Sequence, residues 1–130
     1  GSGGIIYPEL HYGRDSLAGI ALVLNELSDS EKSLSEYRSG LPVYYIYKSK
    51  IENIKDPDKV LKKIREKYSM GNNNVKINTD DGLKLDFQDH WIHLRKSNTE
   101  PIIRIITEAD SAKEAVMINK KITAEISELF

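Results

Sequence analysis

The run Trp91-Ile92-His93-Leu94-Arg95-Lys96-Ser97-Asn98-Thr99-Glu100-Pro101-Ile102-Ile103-Arg104-Ile105-Ile106-Thr107 decides how this chain folds. Two apolar stretches of strand type flank a short polar turn, which reads as a hairpin. Trp91, His93 and Arg95 share one face of the first strand. On the second, Arg104 alternates with Ile103 and Ile105, so it can reach the mouth of the turn while they enter a core. Pro101 fixes the chain as it leaves the turn and brings no N–H. The turn gathers the charged donor forks of Arg95 and Arg104. It adds hydroxyls from Ser97 and Thr99, the amide of Asn98 and exposed backbone N–H groups. That donor set suits an oxyanion, phosphate above all. The same residues also make an ordinary hairpin loop, with two solvated arginines in surface ion pairs of little worth. By themselves the residues leave both readings open.

Downstream, the second strand runs to Ala109, and Ser111-Ala112-Lys113-Glu114 has the spacing of a capping box. It predicts a helix to about Leu129, with an apolar stripe of Ala112, Ala115, Ile118, Ile122, Ile126 and Leu129. Upstream, Asp80-Asp81-Gly82 predicts a tight turn between strands Val75–Thr79 and Leu83–Phe87, with glycine supplying a positive φ. Asp56-Pro57 starts a helix to about Tyr68. Val60, Leu61, Ile64 and Tyr68 face inward on it; Lys59, Lys62, Lys63 and Lys67 make a solvated face. Val43–Ile51 is a strand, and its Tyr44, Tyr45 and Tyr47 read as half-buried sheet residues. Earlier still, Ser33-Leu34-Ser35-Glu36 caps a short helix stopped by Gly40 and Pro42. Asp15 caps a helix to about Ser28, striped by Leu17, Ile20, Ala21, Leu24 and Leu27. The expected fold class is α+β: a small, mostly antiparallel sheet of about four to five strands with two helices on one face. The polar loop is expected at an exposed edge of that sheet, and an amphipathic helix precedes the whole.

The 130 residues suit one domain with a piece of a neighbour, and a hydrophobic fraction of 39% supports a modest core. Net charge is −1, which speaks against a dedicated nucleic-acid binder. With no cysteine there is neither a disulfide framework nor a thiolate metal site. No apolar run reaches the ~20 residues that span a bilayer. Asp80, Asp81, Asp86 and Asp89 lack the spacing of a calcium loop. His90 and His93 face opposite ways on a strand, so they make no metal pair.

The pattern Arg95-x-Ser97-Asn98-Thr99-Glu100-Pro101-x-x-Arg104 resembles the C-terminal phosphate-binding loop of the α-D-phosphohexomutases, which include phosphoglucomutases, phosphomannomutases and phosphoglucosamine mutases. Every fixed position matches; Lys96 stands where many members carry proline. Tyr12-Gly13-Arg14-Asp15-Ser16-Leu17-Ala18-Gly19-Ile20 resembles the start of the helix that closes the third domain of that family. The resemblance covers nearly the whole chain but only the last part of a full-length enzyme. It implies a division into residues 1–32, the end of the third domain with a hinge at Asp29–Lys32, and residues 33–130, the fourth, phosphate-binding domain. It also implies that Arg95, Ser97, Asn98, Thr99 and Arg104 grip the phosphate that is not reacting, while Glu100 points away or pairs with an arginine. In the family a phosphoserine of the first domain donates, and a phosphoryl group moves between sugar positions 1 and 6 through a bisphosphate. Mg2+ is held by acidic residues of the second domain.

On that resemblance this chain holds no catalytic residue and no metal ligand, and is expected to be inactive alone. The parent is expected to be a cytoplasmic enzyme of carbohydrate metabolism whose partners are a phosphosugar and the preceding domains of the same chain. Gly1-Ser2-Gly3-Gly4 is either a cloning scar or the tail of the family's Gly-Glu-x-Ser-Gly-His sugar loop, with Ser2 and Gly3 matching. The stretch Gly3 to Asp15 leans toward phosphoglucosamine or phosphomannose; phosphoglucose stays open. Two other classes stand beside this one. A stand-alone module could use the same loop for an anion or a protein. An RNA-binding sheet would need a basic face with matched aromatics, which the balanced charge and dispersed tyrosines do not favour.

Overall fold

Residues 4–71 and 74–129 are described by the computed structural model. They fall into two units, Gly1–Pro42 and Val43–Phe130. Ser2 and Gly3, the candidate remnant of a sugar loop, lie outside the described residues.

The first unit holds helices α1 (Ser16–Asp29) and α2 (Leu34–Ser39). Each starts where a side chain replaces the missing turn of backbone acceptors. Asp15 accepts from the N–H groups of Leu17 and Ala18 at 2.8 and 3.0 Å. The Ala18 bond first, then His11, holds its carboxyl below the ordinary range. Ser33 and Glu36 cap α2 reciprocally. Tyr37 donates to Glu26 at 2.9 Å and ties the two helices. Gly19 allows Ile5 to lie against α1, since a Cβ there would stand 2.9 Å from the Ile5 side chain. The α1 stripe forms as a helix face, but no residue of α1 is buried, and Leu17 is 76% exposed. Ile5, Ile20, Val23, Leu24 and Leu34 line an apolar hollow within the unit.

The second unit runs β1 (Tyr45–Ile51), α3 (Pro57–Met70), β2 (Lys76–Asn78), β3 (Leu83–Asp86), β4 (His90–Lys96), β5 (Ile103–Ala109) and α4 (Ala112–Ser127). The strands form one five-stranded sheet in the order β1-β5-β4-β3-β2. All pairings are antiparallel. The α+β class is as expected, with one correction. The polar loop does not hang from a sheet edge. It joins β4 and β5, each of which has a neighbour on both sides, so it projects from an end of the sheet while β1 and β2 form the edges. Strand order decides this, and alternation within a strand carries no information about its neighbours.

Alternation nevertheless builds the core. Leu83, Leu85, Ile92, Leu94, Ile103 and Ile105 turn to one face and are sealed under Val60 and Ile64 of α3 and Ile122 and Ile126 of α4. One polar cluster lies among them. Asn119 of α4, 2% exposed, accepts from Ser49 at 2.6 Å and reaches Thr107, whose hydroxyl donates to the Ala115 carbonyl at 2.8 Å. Every buried side-chain donor and acceptor among the described residues has a partner. At Ser111 the hydroxyl accepts from the Glu114 N–H at 3.2 Å, and α4 ends at Ser127 with Leu129 still packed on the core. Lys67 and Tyr68 of α3 meet Glu125 of α4. Burial, with Glu125 second, pushes the Tyr68 phenol up to about 12.

Candidate functional site

Within the second unit the helices α3 and α4 cover one side of the sheet, and no described element of that unit covers the other, open side. Strand register fixes what the open side shows, because directly paired residues point the same way. Arg95 pairs with Arg104, and Arg104 pairs in turn with Lys50 of β1. The next row back brings together Lys48, Ile106, His93 and Lys84. A third brings Ile46, Glu108, Trp91 and Asp86, where the indole N–H donates to Glu108 at 2.8 Å and Lys84 lies 5.2 Å from the ring centre. Tyr45 and Tyr47 pair with Ala109 and Thr107 on the helix side, so they are no platform on the open face.

The loop is closed at its base by the Ser97 N–H donating to the Ile102 carbonyl at 3.0 Å. Its hydroxyls are tied loosely. The Thr99 N–H reaches the Ser97 hydroxyl at 3.4 Å, and the two hydroxyls stand 3.4 Å apart. Hydrogen bonds of that length are weak, which leaves both groups available to a ligand. Asn98 and Thr99 are exposed, and Ser97 is half-buried. Glu100 forms no ion pair with an arginine among the described residues; its charge is felt instead by Lys50.

The five candidate ligands gather at one end of the sheet without sharing one cavity. Arg95 and Asn98 line a cleft of about 430 Å³ that also takes Lys62 and Arg65 from the solvated face of α3. Ser97, Asn98 and Thr99 line a second hollow, which shares Asp58, Lys96 and Asn98 with the first. Arg104 lines neither and stands on the open face beside Arg95.

Arg95 is held from the β2–β3 turn, a support that residue spacing did not reveal. Its Nε lies 3.1 Å from the Asp81 carboxylate, and the Asp81 carbonyl stands 2.6 Å from His93 Nε2. Gly82 sits at φ +79° against Leu94, whose carbonyl oxygen a Cβ would overlap. Only glycine meets both demands without strain. Lys96 pairs with Asp58 of α3 at 2.7 Å. Among the described residues no cluster of three or more His, Cys, Asp or Glu side chains is placed to hold a metal ion. Asp81, Asp86 and Asp89 are engaged by Arg95, Lys84 and His90. No helix among the described residues is long and apolar enough to cross a membrane.

A two-layer α+β domain whose central hairpin turns through a cationic, hydroxyl-rich loop is the class defined so far. Residues 48–125 match the family model described as the phosphoglucomutase/phosphomannomutase C-terminal domain. The chain belongs to that family. It is 38% identical over 114 residues to a phosphoglucomutase/phosphomannomutase of Thermococcus kodakarensis, covering 88% of this chain and 25% of that protein. It is 41% identical over 111 residues to a phosphoglucosamine/phosphogalactosamine mutase of Sulfurisphaera tokodaii, covering 83% and 24%. A phosphomannomutase of Methanocaldococcus jannaschii is 29% identical over 107 residues, covering 82% and 23%. The chain thus spans about a quarter of the length of the curated relatives it matches.

Proposed function

We propose that this chain is the part of a phosphohexomutase that grips the non-reacting phosphate of a hexose phosphate, through Arg95, Ser97, Asn98, Thr99 and Arg104. The observation that carries the reading is the direct pairing of Arg95 with Arg104 beside a loop whose hydroxyls are only loosely bonded to each other. Two arginines at directly paired positions carry charge that matches a phosphate monoester. The hydroxyls and the amide orient it. Binding energy from that remote phosphate positions the reacting end of the sugar.

In this reading the whole enzyme moves a phosphoryl group between the 1- and 6-positions of glucose, mannose or glucosamine phosphates, through a phosphoserine and a bisphosphate. The names of the relatives run across glucose, mannose, glucosamine and galactosamine, which supports the class and not one sugar. The phosphoserine, the Mg2+ that would neutralise phosphoryl charge and most of the sugar contacts belong to preceding domains. Residues 1–32 then form the end of the third domain and residues 33–130 the fourth. The setting is the cytoplasm, without a membrane or nucleic-acid partner.

The test is an NMR titration of this chain with a hexose 6-phosphate, a hexose 1-phosphate and the unphosphorylated sugar. Both phosphates are expected to shift Ser97, Asn98 and Thr99, with affinity on the order of millimolar because one loop supplies few contacts. The sugar signals are expected to stay those of the added isomer, since the chain alone has no phosphoryl donor. Equal shifts from the unphosphorylated sugar, or none from either phosphate, would sink the reading.

A further inference from the structure

Arg104 is the unneutralised centre of a row of cations. On the open face it stands between Lys50 of β1 and Arg95 of β4, in direct register with both. The outer two have carboxylates of their own. Lys50 Nζ lies 2.6 Å from Glu52 and Arg95 Nε 3.1 Å from Asp81. Arg104 is exposed and makes no ion pair among the described residues. Like charges directly opposite on neighbouring strands destabilise a sheet, and an anion seated over Arg104 removes that repulsion. Lys50 lies within electrostatic reach of both the strand and the loop: Glu52 most, then Glu100, raises its ammonium above the ordinary range, while Arg104 opposes them.

We propose that Lys50 is a further cationic contact for the bound phosphate group, so that the grip extends across the open sheet face onto β1 instead of ending at the loop. This rests on the phosphate-binding reading above. The ammonium is a point charge on a flexible stem, and it is 61% exposed, free to swing from Glu52 to a ligand over Arg104. Lys48 provides the internal control. It lies on the same strand and the same face, one row farther from the loop, opposite Ile106.

The affinity of this chain for inorganic phosphate and for a hexose 6-phosphate is measured by amide shifts at low and high salt. The variants are Lys50→Gln, Lys48→Gln and Arg104→Ala, with the unphosphorylated hexose as control. Lys50→Gln is expected to weaken both phosphates about fivefold, the loss of one charged contact, and to flatten the salt dependence. Lys48→Gln is expected to change affinity less than about twofold. Unchanged affinity in Lys50→Gln, with binding lost in Arg104→Ala, would remove Lys50 from the site and leave the loop reading standing. Equal losses from Lys50→Gln and Lys48→Gln would reduce the effect to general charge and overturn the contact. Dependence on Lys50 for inorganic phosphate but not for the hexose ester would keep the contact and defeat the phosphosugar reading. A wild-type chain that binds no phosphate overturns both.

Discussion

On the helix side of the sheet, β3, β4 and β5 present Leu83, Leu85, Ile92, Leu94, Ile103 and Ile105, all sealed from water. On the open side the same strands present Lys84, Trp91, His93, Arg95, Arg104 and Glu108. Backbone, register and strand length are shared, so the difference lies wholly in which neighbours each alternate residue meets. The covered side supplies stability, since buried aliphatic surface is the dominant favourable contribution to folding. The open side holds like charges abreast, which contributes none and costs some. One sheet thus separates holding the fold from presenting the site, and a substitution on either side is expected to touch one property and spare the other.

The largest break in that contrast is Leu94→Ala. Leu94 is fully buried, and its loss is expected to cost about 3 kcal/mol in urea unfolding. Gly82→Ala sits where the two sides meet. Its positive φ and the carbonyl of Leu94 both oppose a side chain. A cost of about 2 kcal/mol is expected, with amide shifts at His93 and Arg95 as the turn lifts from β4. An alanine there that leaves stability and those amides unchanged would show that the turn does not brace Arg95. The smallest effect belongs to Arg104→Ala, expected to stay within about 0.5 kcal/mol of wild type. Its sign is the informative part, since removing the middle cation should stabilise the sheet slightly at low salt and not at high salt. A clear loss of stability would mean that the open face also holds the fold together.

Local chemistry was legible in the residues. Asp15, Ser33, Asp56 and Ser111 marked helix starts that formed within a residue, because caps act over one turn. Asp80-Asp81-Gly82 marked its turn, and alternation sorted Leu94 from Arg95. What required distant partners stayed hidden. Strand order placed the loop at a sheet end and Lys50 beside Arg104, and neither follows from period or propensity. Helical spacing in α4 did not single out Asn119, because its partners Ser49 and Thr107 come from two separate strands. The pairs Asp81–Arg95 and Asp58–Lys96 were hidden for the same reason. The loop motif stood out through its density of donors, but which hollow each side chain lines is a matter of tertiary geometry.

The placement of the loop between β4 and β5 also bears on the order in which the chain assembles. These two strands are joined by the loop itself, so closing them costs little chain entropy, and hairpins of this kind form within microseconds. Arg95 and Arg104 can therefore become neighbours early. Lys50 joins them only when β1 docks on β5 across the intervening α3, β2, β3 and β4, a long-range pairing of the sort that slows folding. Chain topology therefore predicts that the arginine pair forms first in the row and that the lysine arrives last.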